Sequence, residues 1–223
     1  MQTLACPNCG AEIVFRSPAL PARICDHCRT MVVRDGDALT AVGKAAVLPF
    51  DVSPIMIGTR GRFEGNAFEV IGLVRWGWTD GSWNEWLLLF GDGAHAWLGE
   101  AMGQYMLLRE RPLAGVQTQM IRNLAAGRPV AVGTSGQVDG RELTVVDARD
   151  ATCIAAEGEL PFTAPKGWTI FSADLRGPDG SCASLQRDEA EASLYVGRYV
   201  TLAELAPTGL RRIEGWQVPA YGH

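Results

Sequence analysis

Histidine and long apolar runs are both scarce in this 223-residue chain. There are three histidines, His27, His95 and His223, so histidine-based catalysis has few candidates. No run of 18 apolar residues occurs, and we therefore expect no membrane-spanning helix. The N-terminus lacks the basic and then apolar region of a signal peptide, which predicts a cytoplasmic protein. The net charge is −5, and a hydrophobic content of 47% is enough to form a core.

Four cysteines near the start form two Cys-x-x-Cys pairs with fifteen residues between them. They are Cys6, Cys9, Cys25 and Cys28. This spacing is typical of zinc ribbons. Each pair aims two thiolates at one point, and two facing pairs complete the tetrahedron that Zn²⁺ adopts. Because four thiolates leave no position for water, the sequence predicts a structural zinc ion.

Three other uses of these thiols remain open, namely disulfides, a redox dithiol and an iron–sulfur centre. A reducing cytoplasm argues against disulfides, and two matched pairs argue against a single redox site. His27 lies inside the second pair and could replace a thiolate, but with four cysteines available we expect it not to bind the metal. The remaining cysteines, Cys153 and Cys182, lie in strand-like runs and are predicted to be buried free thiols.

Beyond residue 50 the pattern is that of an antiparallel β protein, with short alternating runs separated by glycine turns such as residues 91–93. Residues 116–126 instead show helical spacing, which Gly127 would end. The sequence predicts a mainly β fold, with an N-terminal zinc ribbon and two similar antiparallel β units, barrel-like or sandwich-like. The predicted segments are a zinc ribbon (1–34), a linker (35–50), a first β unit (51–112), a linker with a short helix (113–127), a second β unit (128–206) and a C-terminal tail (207–223).

The two β units share an order of glycines and apolar residues that indicates an internal repeat. Ile-Gly-Thr-Arg-Gly at residues 57–61 reappears as Val-Gly-Thr-Ser-Gly at residues 132–136. The matched blocks are 57–70 with 132–145, 92–98 with 179–185, and 103–105 with 197–199. Units of this size have small cores, so we expect them to share an interface or a continuous sheet.

Seven short motifs between residues 51 and 206 carry a resemblance to a known family. They are Gly58-x-x-Gly61, Gly65-x-x-Phe68-x-Val70, Trp83-Asn84-Glu85-Trp86, Trp97-Leu98, Glu157-Gly158-Glu159-Leu160-Pro161, Asp174-Leu175 and Leu194-Tyr195-Val196-Gly197-Arg198. Together they resemble the bacterial family known as domain of unknown function 4178, which has no established activity and whose members often carry a zinc ribbon in front. The resemblance implies an accessory role, since such proteins tend to accompany polyamine-synthesis enzymes and membrane-stress proteins.

Five of the seven tryptophans lie within 22 residues of one another. Trp86 and Trp97 fall in adjacent strand-like runs and are predicted to pack as core across a hairpin. Trp76, Trp78 and Trp83 lie in what resembles a loop, so we predict that they form an exposed patch that meets a partner.

Three glutamates complete the set of candidate binding residues. Glu85 lies between two tryptophans, where a carboxylate can have a raised pKa or bind a cation with help from the rings. Glu157 and Glu159 are predicted to share one face of a strand, which makes a pair of carboxylates conceivable, and Glu159 is the predicted counterpart of Glu85. The alternative is an ordinary solvated face.

The sequence thus predicts a non-catalytic, zinc-binding accessory or adaptor protein that docks a protein partner, with a polyamine or another cation as a further ligand. Residues 1–50 contain five basic and four acidic residues, a net charge of +1, which is too little for a clear nucleic-acid-binding face. Two alternatives stay open, a hydrolase-like enzyme that uses Glu157 and Glu159, and a nucleic-acid-binding ribbon protein. The first lacks a visible nucleophile and base.

Overall fold

A computed structural model describes residues 1–46, 53–115 and 118–217. Strands dominate these ranges, which confirms the predicted mainly β fold, and the helices are short. The strands are β1 (Gln2–Ala5), β2 (Glu12–Phe15), β3 (Ala22–Ile24), β4 (Thr30–Asp35), β5 (Ala38–Lys44), β6 (Arg60–Phe63), β7 (Asn66–Trp78), β8 (Gly81–Phe90), β9 (His95–Ala101), β10 (Gln104–Arg111), β11 (Ser135–Val138), β12 (Arg141–Leu160), β13 (Thr169–Arg176), β14 (Ser181–Arg187) and β15 (Ala192–Val200). The helices are α1 (Gln119–Ala125) and α2 (Leu202–Leu205), and a single 3-10 turn covers Leu113–Gly115.

Eight strands form a closed antiparallel ring. Their order is β7, β8, β9, β10, β15, β14, β13 and β12, and β12 then pairs with β7 again. The first unit supplies one half of the ring and the second unit supplies the other half. The closing pair runs from Thr152 opposite Gly77 to Gly158 opposite Gly72. This closure favours the barrel-like form of the predicted fold over a sandwich of two open sheets.

The two units repeat local details as well as strand order. The amide of Gly58 donates to the carbonyl of Val70 at 2.8 Å, and the amide of Gly133 donates to that of Val145 at the same distance. A β-bulge follows each of these valines in its pairing with the next strand. Both units therefore open with the same turn and the same irregularity, 75 residues apart.

One of the three matched sequence blocks does not follow the strand register. The sequence comparison aligned residues 103–105 with residues 197–199. In the sheet, Leu107 lies opposite Leu98 of β9, and Leu194 lies opposite Leu185 of β14, which is the counterpart of Leu98. Leu107 and Leu194 are therefore equivalent, so that residue 105 corresponds to residue 192 and not to residue 199. That third correspondence is wrong, because a shared Gly-x-Tyr pattern carries no information about register.

The predicted helix is present as α1, within residues 116–126. Met120, Ile121 and Leu124 are buried, as their spacing predicted, and Gly127 follows the helix with a φ of +70°. Val116, the first residue of the predicted pattern, lies outside the described residues.

The tryptophan-rich stretch between residues 76 and 83, predicted as a loop, is a hairpin instead. β7 continues to Trp78, β8 begins at Gly81, and only Thr79 and Asp80 lie in the turn. Trp76 pairs with Trp83 across the two strands. Aromatic residues favour strands through such cross-strand pairs.

Alternation along the ring strands separates inward from outward side chains. Leu87 and Trp97 pack in the cluster inside the ring, together with Trp76. Trp86 packs on the outer face of the first unit with Phe68. Trp86 and Trp97 are therefore both core residues, as predicted, but they lie on opposite faces of the sheet. Trp86 pairs across the hairpin with Leu98.

The cysteine-bearing segment joins the ring through its strands. β1 and β2 form a separate pair, whereas β5, β4 and β3 extend the large sheet at the C-terminal end of β12. Ala22 pairs with Leu160, and Leu20 and Ile24 belong to the cluster inside the ring. β5 occupies much of the predicted linker 35–50, of which residues 47–50 lie outside the described residues. Within the described ranges no helix is long and apolar enough to cross a membrane.

Candidate functional site

The four N-terminal cysteines converge as predicted. The Sγ atoms of Cys6, Cys9, Cys25 and Cys28 all lie within 4.8 Å of one another. Cys6 and Cys28 are 3.7 Å apart at sulfur, and Cys9 and Cys25 are 3.8 Å apart. Sulfur atoms about 2.3 Å from a tetrahedral Zn²⁺ stand about 3.8 Å from each other, so the donor set fits that ion. A disulfide requires about 2.05 Å, and all four thiols are free.

Two similar turns hold these thiols. The amide of Gly10 donates to the carbonyl of Cys6 at 2.9 Å, and the amide of Arg29 donates to that of Cys25 at 2.9 Å. Gly10 and Arg29 both have positive φ, +75° and +61°. Glycine adopts this conformation freely and arginine does so at a cost, so the surroundings of Arg29 must hold it there.

Hydrogen bonds and burial shift the pKa values of these thiols in opposite directions. The hydroxyl of Thr30, 3.2 Å from the sulfur, is the largest influence that lowers the pKa of Cys28 to about 5. The Ala11 backbone acts to lower the pKa of Cys9, but hydrogen bonds with the other thiols and burial raise it to about 12. Burial raises the pKa of the Cys25 thiol, and a bound metal ion would favour its deprotonation. His27 is exposed and contributes no atom to the cluster.

A cavity of about 250 Å³ lies inside the ring. Every ring strand contributes to its wall, and much of that wall is aromatic or aliphatic. The aromatic lining residues are Trp78, Trp83, Trp97, Tyr195 and Tyr199. Met102, wholly exposed in the turn between β9 and β10, lies at its rim. Mostly apolar concavities with a few polar groups are the usual form of small-molecule sites.

Glu85 projects from β8 into this cavity. Its Oε2 accepts a hydrogen bond from Nε1 of Trp76 at 2.8 Å, and its Oε1 accepts one from Nε1 of Trp83 at 2.9 Å. Nε2 of Gln186, on the opposite side of the ring, donates to Oε1 at 2.5 Å. Burial raises the pKa of Glu85, the charge of Asp174 adds to that rise, and the three donors oppose it.

Asp174 is a second cavity carboxylate, which the sequence analysis did not select. Burial raises its pKa to about 6, with the Ser184 hydroxyl, Arg149 and Arg176 acting in the opposite direction and Asp147 adding to the rise. The signal available was its place in β13, where polar residues alternate with Phe171, Ala173 and Leu175. Such alternation normally indicates a solvent-facing side, whereas here the polar side faces the inside of the ring.

Arginines line the outer part of the cavity. The guanidinium of Arg149 lies 4.4 Å from the centre of the Trp78 ring and 2.6 Å from Oδ1 of Asp147. The guanidinium of Arg176 lies 4.4 Å from the Tyr199 ring centre and donates to the hydroxyl of that tyrosine at 2.8 Å. Both positive charges thus belong to the same cavity lining as Glu85 and Asp174.

The predicted exposed patch of tryptophans is not present as such. Trp76 is fully buried, so the prediction is wrong for that residue. Trp78 and Trp83 are half-buried and line the cavity. The rings pack together, with centres 6.3 Å apart for Trp76 and Trp83 and 5.6 Å apart for Trp78 and Trp83. These side chains point into the ring because they alternate along two paired strands.

Glu157 and Glu159 contact the cysteine-bearing segment rather than the cavity. Glu159 is fully buried, accepts hydrogen bonds from the amides of Arg16 (2.7 Å) and Ser17 (2.9 Å), and pairs with Nη1 of Arg23 at 3.1 Å. Glu157 pairs with Nη1 of Arg29 at 2.9 Å. The conceivable carboxylate pair is thus two separate ion pairs, and neither glutamate meets Glu85.

The predicted correspondence between Glu85 and Glu159 is also wrong. Glu85 lies opposite Val74 on β7. The residue of β12 that is equivalent to Val74 is Arg149, and Arg149 lies opposite Ser172. Ser172 is therefore the counterpart of Glu85 in the second unit. Sequence comparison missed this because an acidic residue and a serine share no pattern.

A contact between a serine and a histidine occurs at the same junction. Nε2 of His95 lies 3.1 Å from Oγ of Ser17, and burial lowers the pKa of His95. Ser17 is fully buried, so no substrate can reach its hydroxyl. Among the residues that line the cavity there is no histidine or cysteine.

The match to a family model covers residues 56–202, which is well over half of the chain. The matched family is described as a domain of unknown function (DUF4178). Comparison with curated proteins gives no match, and neither does comparison with solved structures. The matched region begins just before β6 and ends just after β15, so it contains the whole ring and excludes the four cysteines. On this evidence the chain belongs to the DUF4178 family.

Proposed function

We propose that this protein is a non-catalytic binding protein, in which a zinc-loaded ribbon closes one end of the ring and the ring cavity holds a small organic ligand. The observation that carries the proposal is the cavity itself, about 250 Å³, whose lining combines aromatic residues with four acidic residues and two arginines. Polar groups in such a cavity fix the orientation of a ligand, while the apolar walls supply binding energy. The proposal is binding and not catalysis because the cavity lining contains no histidine or cysteine.

Zn²⁺ is the metal that we assign to the four cysteines. The sulfur separations match a tetrahedral zinc site, and the closed set of four thiolates suits a structural role. An iron–sulfur centre uses the same ligands and would give a coloured protein. Elemental analysis of protein purified without added metal tests the assignment, with about one zinc and no iron per chain expected.

Filling the cavity tests the binding role. Gly99 lines the cavity, and the three atoms nearest to a Cβ built on it all belong to Met106, at ordinary contact distances of 3.5 to 3.9 Å, so Gly99→Leu adds a side chain to the cavity wall. Gly91, exposed in a hairpin turn and without neighbours at its Cβ position, gives the matched control Gly91→Leu. Titration calorimetry with 2-phenylethylamine and with 2-phenylethanol should show binding of at least one compound that Gly99→Leu abolishes and Gly91→Leu retains. Absence of heat at millimolar concentration for both compounds and for spermidine would contradict the proposal.

Several finer predictions from the sequence stay predictions. They are docking of a protein partner, an accessory role linked to polyamine metabolism or membrane stress, binding of a polyamine or another cation, and a cytoplasmic location. The orientation of Trp78 and Trp83 into the ring favours a small ligand over a protein surface at these residues. The cavity lining has four acidic residues, Glu85, Glu100, Asp147 and Asp174, against two arginines, and this excess of acidic residues favours a ligand with positive charge.

A further inference from the structure

Glu85 is held in place by neutral hydrogen-bond donors. Its three hydrogen-bond donors are two indole groups and one amide, all of which are neutral. Among the described residues no arginine or lysine lies within ion-pair distance of it. A buried carboxylate without a positive partner is costly, and its pKa is raised for that reason. A cation in the cavity would remove this cost.

Glu85 also has room for one more donor. A carboxylate offers about four acceptor positions, and three of them are used, two on Oε1 and one on Oε2. The remaining position on Oε2 can accept one N–H. Trp83 and Trp97 line the same cavity, and the face of an indole ring attracts a cation within about 6 Å.

The other acidic lining residues have partners of their own. Glu100 accepts hydrogen bonds from Trp86 at 2.8 Å and from Asn84 at 3.3 Å, and Asp147 pairs with Arg149 at 2.6 Å. Asp174 has positive charges in its surroundings. The charges of Arg149 and Arg176 already lower its pKa, which places both guanidinium groups in its electrostatic surroundings. These arginines also line the outer part of the cavity. A ligand with several positive charges would have to leave some of them beside the arginines, where repulsion disfavours binding.

The size and polarity of the cavity also favour a ligand with few charges. About 250 Å³ accommodates a compact molecule, and the lining includes apolar groups such as Leu108, Met106 and Trp97. Contact between apolar walls and an apolar ligand body stabilises the complex, whereas burying a chain of charged amines against the same walls is unfavourable because the amines lose their water.

We infer that the ligand class is a compact monoamine, with one ammonium group held by Glu85 and an apolar or aromatic body held by Trp83 and Trp97. This inference rests on the proposed function, because it names the class of ligand for the same cavity. It differs from the polyamine prediction in specifying a single positive charge.

Matched ligands test the charge. We expect 2-phenylethylamine to bind at least tenfold more tightly than 2-phenylethanol, which has the same body without the ammonium group, and more tightly than spermidine. Glu85→Gln should reduce affinity for the amine at least tenfold and leave the alcohol within about threefold. Glu142→Gln, at an exposed position of β12, is the matched control and should change neither.

The outcomes separate the two proposals. Equal binding of amine and alcohol, or tighter binding of spermidine, would overturn the monoamine inference while leaving a ligand-binding cavity in place. Failure of all three compounds to bind would overturn the proposed function. Circular dichroism of Glu85→Gln checks its folding. If that variant does not fold, the amine–alcohol comparison on the unaltered protein still decides the inference.

Discussion

Removing the charge of Glu159 should destabilise the protein far more than the same change two residues earlier. Glu159 is fully buried and its partner Arg23 is nearly so, with side-chain exposures of 0% and 6%. Breaking a buried ion pair by removing one partner costs about 3–5 kcal/mol, because the other charge is left without compensation. Asp26 still contacts Arg23 at 2.8 Å after the change, so we expect Glu159→Gln to cost about 3 kcal/mol, the lower end of that range.

Glu157→Gln is the matched control for this change. Its ion pair with Arg29 is partly exposed, at 31% and 24%, and pairs screened by solvent contribute below about 1 kcal/mol. Both substitutions replace a glutamate of β12 that contacts the cysteine-bearing segment, and neither touches a cysteine.

Urea unfolding followed by tryptophan fluorescence measures the difference on the zinc-loaded protein. With a slope of about 2–3 kcal/mol per M for a chain of this size, Glu159→Gln should lower the midpoint by about 1–1.5 M. Glu157→Gln should lower it by less than half of that. Zinc content, measured alongside, should be unchanged in both variants. Equal midpoints for the two variants would refute the view that Glu159 anchors the ribbon to the ring.

Three further outcomes are expected. Cys9→Ser should release the zinc ion and disorder residues 1–34 while the β signal in circular dichroism persists; global loss of that signal would contradict independent folding of the ring. Trp83→Ala should lower the free energy of unfolding by about 2 kcal/mol, between the values for an exposed and a core tryptophan, since the side chain is half-buried. Asp174, with a pKa raised to about 6 from 3.8, binds its proton more tightly when folded, so stability should fall as pH rises from about 4 to 6, and Asp174→Asn should flatten this dependence.

The features that were correctly predicted from the sequence are those determined by residues close to one another in the chain. The four cysteines meet because two tight turns, each closed by an i to i+4 backbone hydrogen bond such as that of Gly10 with Cys6, are local features. The hairpin at residues 91–93 and the helix near residue 120 are also specified within about ten residues. Such segments carry their own periodicity and turn residues, which do not depend on the rest of the chain.

The parts that the sequence did not predict depend on distant residues. Glu159 meets Arg23 across 136 positions, and nothing in either local pattern indicates this pair. Closure of the ring by β12 and β7 decides which face of β13 is inside, and hence that Asp174 points into a cavity and not into solvent. Period-two alternation identifies two faces of a strand but leaves open which of them is covered.

Glu85 and Asp174 do not occupy equivalent positions in the two halves of the ring. Glu85 has Ser172 as its counterpart, and Asp174 has Leu87, since Leu87 and Asp174 lie opposite equivalent residues of β7 and β12. Each half therefore forms its strands and its register with an uncharged residue where the other half has an acid. Register and closure do not require either carboxylate, and burial of each is unfavourable to its charged form, which is what the proposed ligand site predicts for these two positions.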